Sequence, residues 1–165
     1  MLQFGFSNFE EIKNYAGTSE LEYDIVLLDT DSNEAFAEFQ MYGAEKNFFV
    51  TAFDSYSLKK GLEVIGKIDE EVLMTKVLFS RDMTSEEDDY LNFLSFYFSI
   101  KWADEKIYFP YDNGSNTVIM NNQRISQIRF RDLDPTYKEG LMFIANLILP
   151  DIKNSDLKKA FKRIL

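Results

Sequence analysis

An α/β fold, a three-layer sandwich with a mainly parallel sheet, is what this sequence predicts, on three observations. Short runs such as Ile25-Val26-Leu27-Leu28 are apolar at every position, not at alternate ones, which marks a strand covered on both faces. Between such runs lie segments with apolar residues at helical spacing and capping residues in front, so strands and helices alternate as in βαβ units with right-handed crossovers. At 165 residues and 45% hydrophobic composition, the chain has material for one well-buried core and too little for two. A single domain is therefore expected over residues 1–150, with a terminal helix over residues 151–165 packed on it or used for interaction.

The stretch around which the rest is arranged is 23–33, YDIVLLDTDSN, an apolar run that ends in Asp29, Asp31 and Ser32. It reads as a buried strand delivering polar groups to its carboxyl end, where ligands sit in open α/β sheets. Before it, residues 2–6 form a short apolar piece, and Ser7 can cap a helix through Phe9, Ile12 and Tyr15 that Gly17 stops. After it, Ser32 or Asn33 can cap a helix carrying Ala35, Phe36, Phe39 and Tyr42, ended by Gly43.

Residues 47–52 (NFFVTA) predict a second buried strand, and Asp54 or Ser55 caps a helix with Leu58, Leu62 and Ile65 on one side. Residues 72–79 predict a third strand. Thr84-Ser85-Glu86-Glu87 has the form of a capping box and opens a helix toward Phe98. Residues 106–109 predict a fourth strand ending at Pro110. A loop rich in Asn and Gly leads to an edge strand at 124–130. Asp134-Pro135 then caps and starts a helix presenting Tyr137, Leu141, Ile144, Ile148 and Leu149, with Pro150 as its end. No internal repeat or linker divides the chain.

Composition excludes several classes of function. The net charge of -10, from 28 acidic and 18 basic residues, argues against nucleic-acid binding through a broad phosphate-neutralising surface. Without cysteine or histidine there is no disulfide, no thiolate nucleophile, no cysteine metal site and no imidazole base. No apolar run approaches the roughly 20 residues of a membrane span, and no leader pattern opens the sequence, so a cytoplasmic protein is expected.

The order of four landmarks resembles the carboxyl-terminal half of the ParA/MinD-type ATPases, the deviant Walker group that includes CpaE-like pilus-assembly relatives. YDIVLLDTDSN resembles the Walker B and switch II strand of that family, and FFVTAFDSYSLKKGLEVI its next strand and helix. LMTKVLFSRDM resembles the strand ending in a base-reading Asn-Arg, and IYFPYDNG the late proline-aspartate loop. Together they span residues 23–149. The resemblance implies a partial P-loop NTPase-like fold. It also implies a pocket in which Asp29 helps hold magnesium through water, Asp31 and Ser32 belong to the switch, and Ser80, Arg81, Pro110 and Asp112 lie around the base.

This sequence also departs from the family. No glycine-rich phosphate loop precedes the residue 23 strand, so the main nucleotide anchor is missing from the chain. Residues 61–68 (GLEVIGKI) imitate that loop, but they fall inside an amphipathic helix, and Ile68 stands where a magnesium-binding hydroxyl belongs. Ser80 replaces the usual asparagine at the base-reading position. Two readings stand for each remaining group: Asp29 and Asp31 as oxygen ligands of a hard cation, or Asp31 and Ser32 as helix caps; Pro110 and Asp112 as a base loop, or as an ordinary turn beside Tyr111, Asn113 and Gly114.

The expected function is a ParA/MinD-like binding or assembly module, or the switch-bearing half of a larger ATPase. No catalytic residue is assigned and no active ATPase is expected from this chain alone, with ATP and magnesium as cofactors only in a complete enzyme. The alternative is a receiver-like doubly wound signalling domain, with an acidic magnesium pocket at Asp29 and Asp31 and a strand-end residue such as Asp54 modified. Expected partners are a protein or a second copy. The terminal segment, with Leu157, Phe161, Ile164 and Leu165 on one face and basic residues on the other, resembles the MinD membrane tail and implies weak contact with an anionic bilayer through residues 155–165. Glu86-Glu87-Asp88-Asp89 reads as a solvated first helical turn. The aromatic cluster Phe93, Phe96, Tyr97, Phe98, Trp102 and Tyr108 is expected to divide between core and a subunit interface.

Overall fold

The computed structural model describes residues 8–17, 24–30, 32–39, 41–80, 85–111, 113–125 and 133–163. Helix α1 (Phe9–Ala16) is capped by Asn8, whose side chain accepts from the Glu11 amide, and ends at Gly17, whose φ of 67° is the left-handed conformation that glycine adopts without strain. The cap is thus Asn8; Ser7 lies outside the described residues. Helix α2 (Asn33–Glu38) is followed by a separate single turn at Met41–Gly43. Next come β1 (Phe48–Ala52), α3 (Ser55–Ile65), β2 (Val72–Ser80), α4 (Ser85–Leu94) and β3 (Ile100–Pro110). The chain continues with α5 (Asn113–Ile125), α6 (Pro135–Ile148) and α7 (Asn154–Arg163).

The three strands form one open parallel sheet in the order β1-β2-β3, with helices on both faces, a three-layer α/β sandwich. One face, carrying Phe49, Val72, Met74 and Leu78, meets Leu58 and Ile65 of α3 and Leu91 of α4. The other, carrying Val77, Ile107 and Phe109, meets Tyr137, Leu141 and Ile144 of α6. Between Met74↔Trp102 and Lys76↔Lys106 the register jumps, four residues of β3 standing against two of β2. An even insertion preserves the alternation of faces, so Trp102, Lys106 and Tyr108 all lie on the α4 side.

Three expectations are corrected. The described part of the run at 23–33 contributes no strand: residues 24–30 are irregular, and Ile25, Val26 and Leu27 are 40%, 45% and 76% exposed. An apolar run reports fitness for a pleated, half-buried surface, and without a ladder partner it has no reason to take strand geometry. The predicted Asn/Gly-rich loop is helix α5, which includes Arg124 and Ile125 of the supposed edge strand; its half-buried Val118, Ile119 and Asn122 fall on one helical face. Residues 126–130 lie outside the described set. The predicted strand at 106–109 is the end of a longer one, β3.

Gly140 marks where α6 approaches the sheet most closely. A Cβ there would lie 2.8 Å from Cε1 of Phe109. Phe109 is 2% exposed and cannot retreat, being stacked on Phe79 at 5.1 Å and packed at a tilt against Tyr137 at 4.6 Å. Gly140→Ala is therefore expected to destabilise by about 1–3 kcal/mol through overpacking, against the gain of up to about 1 kcal/mol that alanine gives in an open helix. Chemical denaturation checks this, and an unchanged or raised stability would refute it.

Candidate functional site

Helix α4 is joined to β2 and β3 by a line of polar contacts. Glu87, Asp88, Leu91, Asn92 and Ser95 recur at helical spacing and so share one face, which is turned onto the even-numbered residues of both strands. At the carboxyl end, Ser80 Oγ donates to the Glu87 carboxylate. Further back, Lys76 Nζ donates to Asp88 Oδ1 at 2.5 Å and to Asn92 Oδ1, while Lys106 Nζ donates to Asp88 Oδ2 at 2.6 Å. Lys76 also lies 4.9 Å from the centre of the Trp102 ring, and Trp102 Nε1 donates to Ser95 Oγ at 2.9 Å. Lys76 and Asp88 are both buried, at 4% and 5% exposure.

The electrostatics follow from that geometry. Burial pushes the Asp88 carboxyl up, but the hydrogen bonds from Lys106 and Lys76 and their charges outweigh it and hold the group below its ordinary 3.8. Lys106 is raised above 10.5, first by its hydrogen bond to Asp88. Tyr108 is raised, chiefly by burial. The Lys76 amine is held between the Asp88 carboxylate, the Asn92 amide oxygen and the face of the Trp102 ring. Chemically, the arrangement fixes α4 in one rotation on the sheet.

The sequence-predicted residues are only partly brought together. Ser80 and Pro110 are register partners at the ends of β2 and β3, and the Tyr111 amide donates to the Ser80 carbonyl at 2.9 Å. Asp29 is exposed on the irregular segment 24–30 and is not carried by a strand. Ser32 is the N-cap of α2, its side chain accepting from the Ala35 amide at 3.1 Å. Asp31, Arg81 and Asp112 lie outside the described residues. Asp54 caps α3, accepting from the Tyr56 and Ser57 amides, and hydrogen bonding from Ser57 lowers its pKa. Residues 61–68 lie in α3 and the turn that leaves it.

A broad cleft of about 1180 Å³ separates residues 24–30 from β1 and α3. Ile25, Val26, Val50 and Lys60 line it, together with Asn47, whose buried side-chain oxygen has no hydrogen-bond partner. Among the described residues no group of three or more Asp and Glu side chains could hold a metal ion. Asp29 also lines this cleft, whereas Ser80 is engaged by Glu87 on the α4 side of the sheet. No described helix is long and apolar enough to cross a membrane.

From sequence, Lys76 and Asn92 have no assigned role, Lys106 is placed only as a strand residue, and Asp88 reads as part of a solvated turn. The solvated-turn reading of residues 86–89 is corrected for Asp88, which is buried and paired. A signal was present: Lys76 is a charge at a β2 position where alternation with Met74 and Leu78 demands burial, and only a buried acid answers it. Compared with family models, with curated proteins and with solved structures, the chain matches none.

Proposed function

We propose that this chain is a ParA/MinD-like domain acting as a binding or assembly module, either the switch-bearing half of a larger ATPase or a relative that keeps the fold without the phosphate loop. The observation that carries this reading is the meeting of Ser80 with Pro110 and Tyr111 at the carboxyl ends of adjacent parallel strands. Those are the two landmarks that the resemblance places around the base. Glu87, bonded to Ser80, sets a carboxylate where an anionic nucleotide would approach, which weighs against ATP binding by this chain alone.

In a complete ATPase, ATP and magnesium would supply phosphoryl-transfer chemistry from outside these residues. This chain's part would be positional: Asp29 on the metal side, and Ser80 and Pro110 along the base side. A cytoplasmic location accords with that role. Isothermal titration of the 165-residue chain with ATP and magnesium is expected to give no saturable binding heat. Tight binding, or hydrolysis, would sink the proposal.

A further inference from the structure

Helix α4 turns a second, opposite face to solvent. Glu86, Asp89, Tyr90, Phe93, Phe96 and Tyr97 run at helical spacing along it and through the turn that follows. Tyr90, Phe93, Phe96 and Tyr97 are 52%, 75%, 76% and 92% exposed. They cannot rotate inward, because Asp88 on the inner face is held by Lys76 and Lys106. Four large aromatic side chains fixed outward beside carboxylates form a patch of the kind that marks an interface.

Helix α7 has the complementary character. Lys158 and Lys159 are exposed, and Lys162 and Arg163 follow in its sequence. Its Leu157 is buried at 6%, so that part of its apolar face is spent on the domain and is not free to enter a bilayer. An ion pair beside its basic face, Lys159 with Asp156 at 3.2 Å, is exposed and weak enough to exchange. Lysines pair with carboxylates and also sit over aromatic faces. Two copies meeting α4 to α4 would instead oppose Glu86 and Asp89 with themselves.

We propose that the acidic aromatic face of α4 on one copy docks the basic face of α7 on a second copy. Because the two patches are different surfaces of one chain, the contact is heterologous, and it repeats into chains or closes into a ring. This deepens the assembly half of the proposed function and rests on it. The nucleotide titration reads the opposite face of α4, so failure of either idea is visible separately.

Sedimentation velocity on the whole chain tests it, with Phe93→Ser/Tyr97→Ser and Lys158→Glu/Lys159→Glu as variants at exposed positions. The unaltered chain is expected to associate with rising concentration, less so at high salt. Each variant alone is expected to associate at least about tenfold more weakly. An equimolar mixture of the two variants should form dimers and nothing larger, since one intact α4 meets one intact α7 and both outer ends are dead. A monomeric unaltered chain, full association by the α7 variant, or a mixture that stays monomeric would each overturn the proposal. So would capture by phosphatidylglycerol vesicles that needs Lys158 and Lys159 while the lipid-free chain remains monomeric.

Discussion

Replacing Asp88 with alanine is expected to destabilise the fold by about 3–5 kcal/mol, the cost of leaving a buried charge without its partner. The stranded group is Lys76, whose side chain is 5% exposed; Lys106, at 40%, can turn to water. Asn92 and the Trp102 ring would remain near Lys76, but neither carries a compensating charge. Urea denaturation followed by fluorescence is suited to this measurement, because Trp102 is the chain's single tryptophan and lies against the affected lysine. The double variant Lys76→Met/Asp88→Leu should recover most of the loss, since an apolar pair of similar volume often replaces a buried ion pair at little cost. A loss under about 1 kcal/mol in Asp88→Ala would mean that water reaches Lys76.

The same cluster predicts the pH dependence of stability. The folded pKa of Asp88 lies below its ordinary 3.8, so the unfolded chain takes up this proton first. Its contribution is full above 3.8 and is lost as pH falls through the depressed folded value. Lys106 is raised above 10.5, so its contribution is full below that pH and is lost as pH rises through the folded value. Asp88→Ala should flatten both limbs, and unaltered acid and alkaline limbs in that variant would show that other groups set them.

Leu78→Ala should cost about 2–5 kcal/mol, the range for emptying a fully buried leucine site. Leu78 is 0% exposed on the central strand, with Thr51 and Tyr108 as its register partners and Leu91 of α4 in the same core. For a chain of this size, the melting temperature should fall by about 2–4 °C per kcal/mol. Leu73→Ala, on the same strand but 57% exposed on the opposite face, should stay within about 0.5 kcal/mol of the parent. Equal losses at the two positions would contradict the register of β2.

Much of the fold is legible in the sequence because local chemistry acts on neighbours. Asp54 and Asp134 cap their helices through their own side chains, Pro135 starts α6, and the mostly apolar runs at 47–52 and 72–79 predict strands of a mainly parallel sheet. The candidate site was less legible. Ser32 capping α2 is a local contact and could be foreseen, whereas the pairing of Ser80 with Pro110 depends on β2 and β3 coming together from 30 residues apart.

What the sequence alone determined is the α/β alternation, the positions of the main caps and most of the core, since each follows from spacing and propensity over a few residues. Tertiary structure decided the rest. The apolar run at 25–28 found no ladder, because pairing needs an edge brought to it and not hydrophobicity alone. Asp88, one of four consecutive acids, was chosen for burial because two lysines on β2 and β3 converge on it. A buried cation must be answered by a nearby anion, and that pairing turned the aromatic face of α4 outward.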